Sequence, residues 1–258
     1  MKEICTSSPT GAGFYNPASA YFRAAVAVSA CLTGQPVRYD GRDQSHAQVR
    51  SRLDETLRLV PVCPEVGAGF GVPRPPVQLV ATDSRTTPRA LGRDDPSLDV
   101  SDDLRREALL NARRLIREQR LCGYLWKSRS PSCGFNSTPV YDHSGRQIGF
   151  GSGIQAALFQ KYLPWLAFCE ETALQTPRDA SAFIWRCRLV FDVMYAGNAK
   201  LPELHRHYQH QTWFSALPGA GRRILDETAR VHRPRRYLAV LHAALNHIPS
   251  ERLHDLCG

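Results

Sequence analysis

The pattern that most constrains how this chain folds occurs three times: a short, unbroken apolar run breaks off into a Gly/Pro-rich loop carrying a cysteine. Residues 24–29 (AAVAVS) lead to Cys31, residues 59–62 (LVPV) to Cys63, and residues 121–126 (LCGYLW) to the loop 127–134 with Cys133. The first run, short and unbroken, reads as a parallel strand buried on both faces, and the other two read as the second and third strands of the same sheet. Between the first two, residues 46–59 carry Val49, Leu53 and Leu57 at helical spacing, so the unit is strand, helix, strand. An open parallel sheet gathers its strand ends at one edge, where ligands bind in the crevice. The three cysteines are expected to converge there.

The rest of the first half fits that plan. Residues 64–76 hold Gly67, Gly69 and Gly71 and then Pro73-Arg74-Pro75-Pro76, too punctuated for regular structure and too apolar for a linker. Residues 77–80 read as a short strand, followed by a polar stretch to Pro96. Ser101 or Asp102 caps a helix to about Arg120, with Leu104, Ala108, Leu115 and Ile116 facing inward. Residues 138–141 are expected to pair at a sheet edge. Residues 149–153 (GFGSG) precede a helix in a layout that resembles a phosphate cradle, but they match neither standard phosphate-binding fingerprint. A turn feeding the helix is the better reading.

Beyond Pro177 the pattern turns helical, with helices expected over 181–196, 203–214, 222–231 and 235–246. The fold class is therefore α/β, an open, mostly parallel sheet with flanking helices, followed by a small all-α domain. Residues 1–22 read as a flexible leader without the apolar core of a secretory signal, 23–166 as the α/β domain and 177–258 as the helical domain. The apolar share of 43% supports a hydrophobic core. No run is long enough to span a bilayer, and the expected location is the cytoplasm.

Eight cysteines in 258 residues lack the density of a disulfide scaffold. Cys169, Cys187 and Cys257 lie in apolar or terminal helical context and read as inert thiols. Cys122 starts a strand, and Cys5 sits in the leader. Thiolates prefer soft metals, so Cys31, Cys63 and Cys133 suit zinc or an iron–sulfur cluster. Zinc usually brings a close Cys-x-x-Cys pair or a histidine, whereas separate loops can wrap a bulky cluster and leave one metal position open. Without a metal, the same residues would be core or redox cysteines. Glu65, two positions after Cys63, places a carboxylate for proton transfer, or it pairs with Arg74. Ser130 and Ser132 flank Pro131, and either can present a hydroxyl to the site or bond to the turn backbone.

Residues 31–34 with 37–41, 62–65 with 71–76, and 127–134 resemble, in order, the three signature blocks of the TudS-type thiouracil desulfidases. The resemblance spans about 24–163. It implies an α/β fold, a [4Fe-4S] cluster ligated by Cys31, Cys63 and Cys133, and catalysis by Glu65 and Ser130. The implied reaction is hydrolytic replacement of the sulfur of a thiolated pyrimidine, thiouracil or 4-thiouridine, by oxygen with release of sulfide. Two-domain relatives of the RudS type act on 4-thiouridine in tRNA. The architecture here is similar, although 181–258 gives no clear match to their second domain.

The net charge of +9 suits phosphate polyanions or is an unspecialised basic surface. In the helical part, Arg186, Arg188, Arg222, Arg223, Arg233, Arg235 and Arg236 alternate with Trp185, Tyr195, Tyr208, Trp213 and Tyr237. That mixture suits contact with tRNA by phosphate pairing and base stacking, and equally a helical bundle with a solvated basic face. His205, His207 and His210 lack an acidic partner in a recognised ligand pattern and read as solvated or RNA-facing. Two other functions fit the residues: a noncatalytic RNA-binding or redox-sensing iron–sulfur protein, and a three-cysteine zinc hydrolase.

Overall fold

A computed structural model describes residues 23–83, 86–195 and 201–248. The leader expected over 1–22, together with Cys5 and Cys257, lies outside the described residues. The first apolar run forms β1 (Ala25–Ser29), buried along its whole length. A tight turn, Ala30–Thr33, carries Cys31. The expected 46–59 helix is shorter, with π-type winding over Val49–Leu53 followed by α1 (Asp54–Thr56). Leu57 is already extended and feeds β2 (Arg58–Val62). Val49, Leu53 and Leu57 are buried as expected.

After Cys63 come the single turn α2 (Pro64–Gly67), β3 (Val77–Val80), β4 (Arg89–Gly92), α3 (Ser101–Gln119) and β5 (Leu121–Trp126). Then follow β6 (Thr138–Tyr141), β7 (Gln147–Gly151), α4 (Ile154–Tyr162) and β8 (Ala167–Glu170). One sheet has the order β2-β1-β5-β8, and every pairing in it is parallel. All four strands therefore end on the same edge. The fold class read from the sequence holds, with helices on the sheet and further helices after it.

Three strands escaped the sequence. β4 lies in the stretch read as polar, β7 in the segment read as a turn, and β8 moves Cys169 from the expected helical context onto a strand. β4 and β7 form the edges of a second sheet, β4-β3-β6-β7, whose only parallel pairing is β3 with β6. Helix α3 bridges the two layers. Its inward stripe is Leu104, Ala108, Asn111 and Leu115, three apolar residues and one amide at helical spacing.

Thr176 and Asp179 bond reciprocally to start α5 (Pro177–Tyr195), with Thr176 Oγ1 accepting from Asp179 N at 3.3 Å and Asp179 Oδ2 from Thr176 N at 2.8 Å. Helix α5 buries Phe183, Cys187 and Val190 in the core of the parallel sheet and Leu189 in a second core. The close fit shows at Gly123 of β5, where a Cβ would lie 2.8 Å from Cys187 Sγ. The second core is built by α6 (Leu201–Gln209), α7 (Thr212–Ser215), α8 (Gly219–Arg230) and α9 (Pro234–Leu245). The helix expected over 203–214 is thus broken in two. The break turns Trp213 and Phe214 inward, where both are buried.

Candidate active site

The edge where the four parallel strands end opens into a cavity of about 300 Å³. Cys31 reaches it from the turn after β1, Cys63 from the end of β2, and Cys133 from the loop after β5, so the three predicted cysteines share one wall. A more open groove of about 530 Å³ runs alongside, past Glu107 and Arg114 of α3, but it meets only Cys63 of the three. The smaller cavity is the candidate site.

The Cys133 loop is clamped by the first turn of α4. Gly153 N donates to Gly134 O (2.8 Å), Ile154 N to Pro131 O (2.9 Å) and Gln155 N to Ser132 O (3.0 Å). These bonds use the free N–H groups of the helix start, so the phosphate cradle considered for 149–153 does not form. A Cβ on Gly153 would lie 2.7 Å from Ser130 O and 2.8 Å from Cys133 N, so only glycine allows this approach.

Glu65 sits on α2, whose start places it directly after the Cys63 strand end. Its Oε2 accepts from Arg74 Nε at 2.6 Å, and its Oε1 accepts from Ser132 Oγ at 2.7 Å. Arg74, only 5% exposed in its side chain, also donates to Gly71 O and Val37 O, each at 2.9 Å. The pairing with Arg74 foreseen from the sequence is therefore present, and the carboxylate still lines the cavity. The two serines divide. Ser132 is fully buried against Glu65, whereas Ser130 lines the cavity. Ser130 Oγ accepts from Ser132 N (3.2 Å) and Cys133 N (3.1 Å), which occupies its lone pairs and leaves its proton to donate.

The sequence reading missed the opposite wall. Lys127 Nζ donates to Glu171 Oε1 (2.6 Å), Ser128 N to Glu171 Oε2 (2.6 Å) and Ser128 Oγ to Glu171 Oε1 (2.7 Å). Glu171 follows β8, so its signal was hidden with that strand. Lys127 N donates to Ser29 Oγ (2.9 Å), tying β5 to β1 beside the cysteines.

Burial raises all three site thiols. It pushes Cys31 up to about 11, opposed by the Lys127 ammonium. Cys63 rises for the same reason, opposed by the Val66 backbone N–H. Cys133 lies well above its ordinary value, with the Ser29 hydroxyl opposing burial. Left to themselves these groups are neutral thiols at pH 7, and it takes a bound cation to hold them as thiolates. Among the described residues, no three of His, Cys, Asp and Glu stand close enough to hold a single metal ion. Three soft donors spread around a cavity match a multi-metal cluster, whose corners are ligated one by one, better than one zinc ion.

The helical segment differs from expectation. Tyr208, Trp213 and Tyr237 are buried in the second core and offer no face for base stacking. Tyr195 is half-buried, its hydroxyl bonded to Leu121 O at 3.2 Å. Arg186 donates to Asn246 Oδ1 at 2.6 Å and to Leu245 O at 3.3 Å. His205 is neither solvated nor RNA-facing. It is buried between Tyr237 OH (3.0 Å) and Asp226 Oδ1 (2.8 Å). Arg222, Arg223, Arg233, Arg235 and Arg236 remain at least partly exposed.

A parallel α/β sheet whose strand ends bring three thiols and a braced carboxylate into one cavity defines a thiol-centred α/β protein with its chemistry at the strand edge. Residues 26–171 match the model of the 2-thiouracil desulfurase family, and the chain belongs to that family. YbbK of Bacillus subtilis (strain 168), an uncharacterized protein, is 29% identical over 138 residues, covering 53% of this chain and 89% of YbbK. The solved structure of TudS, a [4Fe-4S]-dependent thiouracil desulfidase, is 30% identical, covers 59% of this chain and 93% of its own, and has a TM-score of 0.48. Among the described residues, no helix is long and apolar enough to cross a membrane.

Proposed function

We propose that this protein is a [4Fe-4S]-dependent desulfidase that hydrolyses the carbon–sulfur bond of thiouracil or 4-thiouridine, free or within tRNA, to the oxo form with release of sulfide. The observation that carries this reading is the convergence of Cys31, Cys63 and Cys133 on a cavity that also presents Glu65. The three cysteines would ligate three corners of the cluster. Bound there, the cluster would supply Lewis-acid chemistry that polarises the carbon–sulfur bond.

The remaining work falls to the protein. Ser130 donates its free proton to the bound base and orients it. Glu65, fixed by Arg74 and Ser132, takes a proton from the attacking water at its carboxylate and returns it to the departing sulfur. Water's oxygen forms the new carbonyl, and its two protons leave with the sulfur as hydrogen sulfide or as hydrosulfide and a proton. No electron is consumed. The exposed arginines of α8 and α9 support contact with the phosphates of tRNA. The cytoplasm suits a protein whose six described cysteines are all free thiols.

The test is anaerobic purification with iron, sulfide and zinc quantified, together with sulfide release from 4-thiouracil. The expected result is about four irons and four sulfides per chain, and loss of both in Cys31→Ala, Cys63→Ala and Cys133→Ala. Zinc in their place, or normal iron in any of these variants, would overturn the assignment.

A further inference from the structure

Among the described residues that line the thiol cavity, Tyr39 is the only aromatic one. It is half-buried, yet it belongs to none of the three hydrophobic cores. No hydrogen bond among the described residues engages its hydroxyl. Neither core packing nor a polar contact therefore accounts for an aromatic side chain at this point of the wall.

Its backbone, by contrast, is firmly held. Tyr39 O accepts from Arg74 N at 2.9 Å, and Val37 O, two residues earlier, accepts from Arg74 Nη2 at 2.9 Å. The same guanidinium donates to Glu65 Oε2 at 2.6 Å, so one residue fixes the tyrosine segment and the cavity carboxylate in a common frame. A tight turn closes the other side. Gly41 N donates to Arg38 O (3.0 Å) and Arg38 N to Arg42 O (3.1 Å), with Gly41 in the left-handed region at φ 75°. The Arg38 guanidinium, tied to Gln44 Oε1 at 2.6 Å, stands over the tyrosine ring, 5.7 Å from its centroid. A cation at that distance is attracted by the electron-rich face of the ring.

We propose that Tyr39 is the stacking platform for the substrate base: Arg38 backs one face of its ring, and the other face receives the flat ring of the thiolated pyrimidine. This rests on the desulfidase reading above and adds the residue that recognises the heterocycle itself. Polar side chains and the sulfur contact grip the edge of a base, whereas an aromatic ring grips its face. Truncating such a platform weakens binding by about tenfold to a hundredfold. Stacking acts alike on substrate and transition state, so its loss raises KM and leaves kcat.

The test uses the cluster-loaded full chain with Tyr39→Ala, Tyr39→Leu and Tyr39→Phe, each checked for iron and sulfide content. Sulfide release from 4-thiouracil gives kcat and KM. Equilibrium dialysis of 4-thiouracil, with each substitution placed on a Glu65→Gln background that slows turnover, gives Kd directly. The expected result is full cluster content throughout, KM and Kd raised about tenfold or more in the Ala and Leu variants, and Tyr39→Phe close to wild type. Wild-type KM and Kd in fully loaded Tyr39→Ala would overturn the inference. So would Tyr39→Leu equal to wild type, since apolar bulk would then suffice, or Tyr39→Phe as weak as Tyr39→Ala, since the hydroxyl would then be the contact. If Tyr39→Ala does not load its cluster, the Leu and Phe variants decide in the same way. A wild-type chain that holds no iron, or releases no sulfide from 4-thiouracil, would instead defeat the desulfidase reading, and this inference with it.

Discussion

Ser132 Oγ donates a 2.7 Å hydrogen bond to Oε1 of Glu65, a residue 67 positions earlier in the chain. The bond joins the loop of the third cysteine to the helix that follows the second. It also separates the two serines of the Ser-Pro-Ser-Cys motif, one bracing the carboxylate and the other facing the cavity.

Replacing Ser130 by Ala is therefore expected to lower desulfidation by about a hundredfold or more, with the visible absorption of the cluster unchanged. Ser132→Ala should cost about tenfold, and Ser132→Thr should recover much of that loss because it restores the donor. Steady-state sulfide release from 4-thiouracil measures both. A larger loss in Ser132→Ala than in Ser130→Ala would reverse the two roles.

Arg74 gives all its bonds to one carboxylate and two carbonyls while almost wholly buried. Removing it strands the Glu65 charge. Arg74→Ala should destabilise the fold by about 3–5 kcal/mol in urea unfolding at neutral pH. Arg74→Lys should rescue little of it, since a single ammonium cannot reproduce the planar fork.

His242 is buried on α9, with the Trp165 backbone beside its ring. Burial, helped by the nearby Arg186 guanidinium, lowers its pKa from 6.5 to about 3. The unfolded chain thus binds a proton that the folded chain refuses. Its contribution to stability is complete above pH 6.5 and falls by about 1.4 kcal/mol per pH unit below that, levelling off near pH 3. Urea midpoints at pH 7.5 and 5 should differ less in His242→Leu than in wild type. Equal differences in the two proteins would show that another group sets the acid sensitivity.

Removing the helical segment at Pro177 would strip Phe183, Cys187 and Val190 from the sheet core, so charge reversal is the cleaner test of RNA binding. Arg222→Glu, Arg223→Glu and Arg236→Glu should each weaken binding of thiolated tRNA and reduce the slope of log K against log salt by about one for every phosphate no longer neutralised. Turnover of 4-thiouracil should not change. Unaltered RNA affinity in the triple variant would leave these helices a structural role only.

The sequence by itself determined the parallel sheet and the three cysteine loops, because short continuous apolar runs that break into Gly/Pro-rich loops read as strands whose ends share an edge, although only β1 and β5 are buried throughout while β2 is a partly exposed edge strand. It also revealed Val49, Leu53 and Leu57, and the α3 stripe from Leu104 to Leu115, since helical burial leaves a period. Only the tertiary structure decided β4, β7 and β8, short half-polar strands that exist through their pairing partners. It alone set Ser132 against Glu65, Lys127 against Glu171, and Arg74 against Tyr39, and it turned Tyr208, Trp213 and Tyr237 into the core and away from any RNA. Periodicity records which face a residue presents to its own element. The partner it meets across dozens of positions depends on how the elements pack, and no local pattern encodes that.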